Sequence, residues 1–199
     1  MKQAAWILMT LALGRAEIID RVVAVVGREV VLQSDIDREA RLEAFFGAAT
    51  PVPAQVLERL LRQRLLFQEM EQTAPPEVSP AQARKWIEQM RPAGKDPSRQ
   101  GLREADLVEY AGRQLQVERF VEQRFKAGLQ VTPQEIDEYY HKRLRPELER
   151  QGVVDLPPLE KIQARVEQAA REEKANQALD EWLAESRQRS VRILEKEKP

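Results

Sequence analysis

The chain has 199 residues, with 32 Lys and Arg against 33 Asp and Glu and a net charge of −1. At about 100–200 residues per domain this is one domain, or one domain with an appendage, and the balanced charge excludes both the basic excess of a nucleic-acid binder and a disordered acidic tail. Having no cysteine excludes disulfides, thiolate metal sites, thiol nucleophiles and acylation at cysteine, and a single histidine argues against His-built metal sites and His-centred triads, so neither metal nor cofactor is expected.

The N-terminus reads as a secretory signal peptide over residues 1–16. Lys2 is a short positive region, residues 4–13 are small and apolar, and Gly14-Arg15-Ala16 resembles a small-x-small cleavage site. The apolar stretch is too short for a permanent span; a buried N-terminal helix is the alternative. Cleavage would remove Lys2 and Arg15, leaving 30 positive and 33 negative charges, a mature net charge of −3 outside the cytoplasm.

Ile18-Ile19-Asp20-Arg21-Val22-Val23-Ala24-Val25-Val26 is rich in β-branched residues and dense in valine, Gly27-Arg28 fits a tight turn, and Glu29-Val30-Val31-Leu32 reads as the returning strand. A hairpin alone is marginal. The other β-like segment is Ser190-Val191-Arg192-Ile193-Leu194, so the two ends of the chain are expected to meet in one small sheet.

Between them the pattern is helical, so the fold class is mainly α. Ser34 reads as an N-cap, with Asp35 and Asp37 in the first turn of a helix to about residue 47 that carries Ile36, Leu42, Phe45 and Phe46. After Pro51 and Pro53, a helix over 54–72 has a wide stripe of Val56, Leu57, Leu60, Leu61, Leu65, Leu66, Phe67 and Met70, and should be central. Ser79-Pro80-Ala81-Gln82 is a capping-box start for a short helix to about Met90, and residues 91–97 read as a mobile loop. A long helix follows over 103–126, with Val108, Ala111, Leu115, Phe120, Val121 and Phe125 on its apolar face and Gly128 as its cap. Thr132-Pro133-Gln134-Glu135 repeats the start signal for a helix through Tyr139 and Tyr140. Residues 145–158 are weakly patterned, and the last helix, over 159–188, carries Ile162, Val166, Ala169, Leu179, Trp182 and Leu183.

Catalytic motifs are missing from this pattern. Gly94-Lys95-Asp96 lacks the glycine spacing and hydroxyl of a phosphate loop, and no glycine-rich turn follows the hairpin. Asp35 and Asp37, two apart, do not share a helix face, and His141 has no partner at a suggestive spacing.

The segment from Ile18 through Asp37 resembles the start of the mature SurA-type periplasmic chaperones, in which an Ile/Val-Asp-Arg/Lys hairpin directly follows a signal peptide and runs into a Ser-Asp helix. Val131-Thr132-Pro133-Gln134-Glu135-Ile136-Asp137-Glu138-Tyr139-Tyr140 is similar to a second family helix, and the last helix with Val191-Arg192-Ile193-Leu194 is similar to the family's closing helix and strand. The family usually carries one or two parvulin-type prolyl isomerase domains between the Tyr-Tyr helix and the closing helix. Here only residues 142–158 occupy that place, too few for a domain.

The resemblance implies a single SurA-N-like domain over 17–199: an N-terminal part over 17–141, a linker over 142–158 in place of the isomerase, and a closing helix and strand over 159–194. It implies a periplasmic, ATP-independent, non-enzymatic binder of unfolded exported or outer-membrane protein segments, with neither isomerase activity nor nucleic-acid binding. An adaptor for one envelope-assembly or secretion partner is the alternative, and an enzyme ranks last. Phe45, Phe46, Trp86 and Met90 are the candidate client contacts, with Tyr139 and Tyr140 also near helix ends; for each, aromatic or apolar spacing on a helix fits core packing better.

Overall fold

The computed structural model describes residues 20–48, 51–153 and 157–194. The predicted signal peptide over 1–16, and Ile18 and Ile19 of the predicted first strand, lie outside the described residues. Strand β1 (Val22–Val26) turns at Gly27 into β2 (Glu29–Leu32). Gly27 has φ +58°, a backbone conformation that selects glycine, and a Cβ there would stand 2.6 Å from Nε2 of Gln68 and push that side chain aside. Gln68 Nε2 donates to the Val26 carbonyl at 2.8 Å, tying the turn to the second helix. Strand β3 (Val191–Ile193) pairs with the other side of β1, giving an antiparallel sheet of order β2-β1-β3 in which Ala24 faces Val31 on one side and Ile193 on the other. The fold is therefore mainly α, with a small sheet built from the N-terminal hairpin and the C-terminal strand.

Helix α1 (Gln33–Phe45) starts two residues earlier than its sequence signal, and the expected Ser34 cap is corrected. Leu32 is the N-cap, and the Asp35 carboxylate reaches back to its N–H at 3.0 Å; Ser34 sits inside the first turn, where its hydroxyl donates to Asp20. Helix α2 (Pro53–Thr73) is central as predicted: Val56, Leu60, Leu61, Leu65, Leu66 and Met70 are buried, shared between a core under the sheet and a second core facing the later helices. Helix α3 (Pro80–Met90) carries the predicted capping box, with Ser79 and Gln82 exchanging side-chain and backbone bonds. The connection after it, expected to be mobile, is pinned: Lys95 Nζ donates to the Ala44 and Phe45 carbonyls at 3.1 and 3.2 Å, closing the C-terminus of α1, and Pro97 is buried in a 3₁₀ turn (Pro97–Gln100).

Helix α4 (Glu104–Val121) buries Leu107, Tyr110, Ala111 and Phe120, whereas Val108 and Leu115 from the predicted stripe are only half-buried. It ends in a π-helical turn (Glu122–Lys126), and Gly128 follows at φ +75°. Helix α5 (Pro133–Tyr139) opens on the predicted Thr132–Glu135 capping box. Residues 142–150, read as linker, are helical: a π turn (Tyr140–Leu144) leads straight into α6 (Arg145–Arg150). The wide turn is closed by the Arg145 N–H on the Tyr140 carbonyl, just ahead of Pro146, which has no N–H to give.

Helix α7 (Leu159–Ser190) runs 32 residues, about 48 Å at 1.5 Å per residue, and joins three cores. Val166 packs with Ile136 and Tyr140, Leu179 with Leu66 and Phe120, and Trp182 and Leu183 lie against the sheet core. Ala170 and Ala175, not Ala169, are its buried alanines, and Trp182 is half-buried, with its ring centroid 6.0 Å from that of Phe125. Among the described residues no helix is long and apolar enough to cross a membrane.

Candidate functional site

Helices α3 and α4 lie side by side, and their outer faces with the loop after α3 enclose an open cleft of about 1130 Å³. Its apolar lining comes from Pro80 and Ile87 of α3, Pro92 and Ala93 of the loop, and Ala105 and Val108 of α4. On α3, spacing of three and four residues places Pro80, Arg84, Ile87 and Glu88 on this face, and Arg91 follows as the helix's C-cap. Charged side chains form the rim: Arg91 Nη2 reaches Glu104 at 2.6 Å across the mouth, and Arg84 and Glu88 are exposed. Glu109, at the far end, accepts from Arg38 at 2.8 Å and from Arg113 at 2.6 Å.

Behind the cleft, an aromatic cluster joins α1, α3 and α4. Phe46 lies edge-on to Phe45 and to Trp86, each at 5.1 Å, and stacks on Tyr110 at 5.4 Å with 12° between the rings. The Arg91 guanidinium stands 5.8 Å from the Phe45 ring centroid, so one residue touches both the cluster and the rim.

The structure thus brings together three of the four candidate contacts, but not as a free surface. Phe45 is 0% exposed, a core residue packed with Leu42 and Leu107, which removes it from the contact set in this conformation. Phe46 and Trp86 are half-buried in the cluster. Met90 is 49% exposed, one helical turn beyond Trp86, and of the four is the side chain most open to a partner. Tyr140 is buried, its hydroxyl donating to the Pro157 carbonyl at 2.9 Å. His141 is exposed, with Nδ1 3.2 Å from the Asp137 carboxylate.

A charged network holds the α4 wall against the body, and sequence reasoning missed it. Glu39 and Glu43, one turn apart on α1, are both buried. Glu43 accepts from Arg59 Nε of α2 at 2.6 Å, and Glu39 pairs with Arg113 of α4 at 3.3 Å. Burial pushes the Glu39 carboxyl above the usual carboxylate range, only partly offset by Arg113. Burial also raises the Tyr110 phenol, to about 12, with Glu39 and Glu43 adding to the shift. Asp106 is the opposite case: hydrogen bonds from the Arg103 side chain and backbone, at 2.7–3.1 Å, and from Arg38 at 2.8 Å, hold it well below the usual range.

The cleft presents carbon walls and a mixed-charge rim, and two of its three carboxylates, Glu104 and Glu109, are engaged by arginines. This chemistry suits binding. Its key residues, Ile87, Ala105 and Val108, carry no signal beyond helical spacing, because any apolar residue would serve as well in a core. No family model matches the chain, and no curated protein matches it.

Proposed function

We propose that the chain is a non-enzymatic, chaperone-like module that holds extended segments of unfolded exported proteins, outer-membrane proteins among them, in the periplasm, and that it resembles the SurA-type chaperones without their isomerase domain. The observation that carries this reading is the α3–α4 cleft. At about 1130 Å³ it exceeds the roughly 300–1,000 Å³ of ordinary small-molecule pockets, and it is open, apolar and rimmed by charge. Apolar walls take up client side chains without selecting one shape, and the rim keeps the loaded surface wet. Release follows from weak, fast-exchanging contacts, since holding an unfolded chain is a mass-action equilibrium with its folded state.

The test is aggregation suppression against several unrelated unfolded substrates, with Ala105→Trp as the cleft-filling variant. Ala105 is exposed on the cleft wall, so the indole occupies the cleft without entering the core. The wild type is expected to suppress aggregation of all substrates, and Ala105→Trp to lose this while keeping its melting temperature. Suppression of none, with capture of a single folded partner, would replace this reading with that of a dedicated adaptor.

A further inference from the structure

Strand β3 is one edge of the sheet. Two bonds fix its orientation: the Leu194 N–H donates to the Val23 carbonyl at 2.9 Å, and the Gly27 N–H donates to the Ser190 carbonyl at 2.8 Å. Alternate residues of an antiparallel strand serve one neighbour, so Ser190, Arg192 and Leu194 bond toward β1, and the backbone of Val191 and Ile193 points to the outer edge. The Val191 N–H is used by the Arg187 carbonyl, where α7 closes. An ordered set remains without a partner among the described residues: the Val191 carbonyl, the Ile193 N–H and the Ile193 carbonyl.

The side chains around this edge are also exposed. Ile193 is 48% and Leu194 47% exposed. Arg28 in the hairpin turn, Arg189 at the end of α7 and Arg192 in β3 are all exposed at this end of the sheet, and the carboxylate paired with Arg189, that of Glu185, is 3.7 Å away. Alternating acceptor, donor and acceptor along a strand are complementary to the backbone of another extended chain, and three arginines favour acidic side chains on it.

We infer that the outer edge of β3 receives an extended polypeptide segment by strand addition, with an apolar side chain over Ile193 and an acidic one beside Arg28, Arg189 and Arg192. The inference rests on the reading of the chain as a holder of extended polypeptide and gives that activity a second grip. The cleft takes side chains, and the edge takes backbone, which every client shares.

The test uses the full chain and a short fluorescein-labelled peptide alternating valine and threonine, with glutamate at one end, titrated by fluorescence anisotropy. Ile193→Pro removes the outward N–H and no bond of the β1–β3 ladder, a substitution that edge strands tolerate. The expected result is peptide binding roughly tenfold weaker than wild type, the effect of about one hydrogen bond, with an unchanged thermal melt. Because the chain has no cysteine, Ile193→Cys supplies a unique thiol, and disulfide capture of peptides with cysteine at successive positions is expected to alternate with a period of two. That capture pattern decides the matter should Ile193→Pro fail to fold. Wild-type affinity in Ile193→Pro with a flat capture pattern overturns the edge site and leaves the holding function intact. A wild type that binds no peptide overturns both. A concentration-dependent dimer that Ile193→Pro abolishes, with peptide binding unchanged, assigns the edge to a second copy and overturns the inference.

Discussion

Phe45 separates core packing from client contact most sharply. Its ring is fully buried among Leu42, Leu107 and Ala111, edge-on to Phe46 at 5.1 Å and beneath the Arg91 guanidinium at 5.8 Å. Phe45→Ala removes that packing and leaves a cavity where α1, α3 and α4 meet, a loss of about 3–5 kcal/mol, against a total stability of about 5–15 kcal/mol. At about 2–4 °C per kcal/mol for a chain of this size, the melting temperature should fall by roughly 6–20 °C. The assay is a circular-dichroism melt, run beside client binding at a temperature where both proteins are folded. Met90→Ala is the internal control, because an exposed side chain should change stability by no more than about 0.5 kcal/mol. A melting temperature for Phe45→Ala within about 2 °C of wild type, together with weakened client binding, would refute the core assignment and return Phe45 to the contact surface.

Two further outcomes follow from the same geometry. Burial raises the Glu39 carboxyl, so the folded state binds its proton more tightly than the unfolded chain does, and ionised Glu39 costs stability at neutral pH; that cost fades as the pH falls toward the unfolded value of about 4.3. Glu39→Gln should therefore raise the melting temperature at neutral pH, with a gain that shrinks in acid, and a lower melting temperature at neutral pH would mean that the Arg113 pair outweighs burial. Deleting residues 159–199 removes Leu179, Trp182 and Leu183 from two cores and β3 from the sheet; the remainder should lose its cooperative melt by calorimetry, and an unchanged transition would show that α7 is an appendage.

Much of the fold was legible because its signals are local. Ser79-Pro80-Gln82 and Thr132-Pro133-Glu135 start helices through bonds within one turn, and they do so where the sequence places them. The valine-rich hairpin and the β-branched Val191–Ile193 were equally readable, since the two segments had no other partner of their kind. The misreadings share one cause, which is that the deciding partner is absent from the local pattern. Ser34 has the chemistry of a cap, yet Asp20 takes its hydroxyl and Asp35 caps Leu32 instead. Residues 142–150 read as linker, yet the π turn ahead of Pro146 carries the chain onward into α6. Helical spacing marks Phe45, Trp86, Ile87, Met90 and Val108 alike as apolar positions and says nothing of what covers them. Only the packing of α3 beside α4 and against α1 buries Phe45, leaves Met90 open and turns Ile87 and Val108 into the walls of a cleft, because burial depends on which helix faces are brought together and periodicity along one helix does not contain that information.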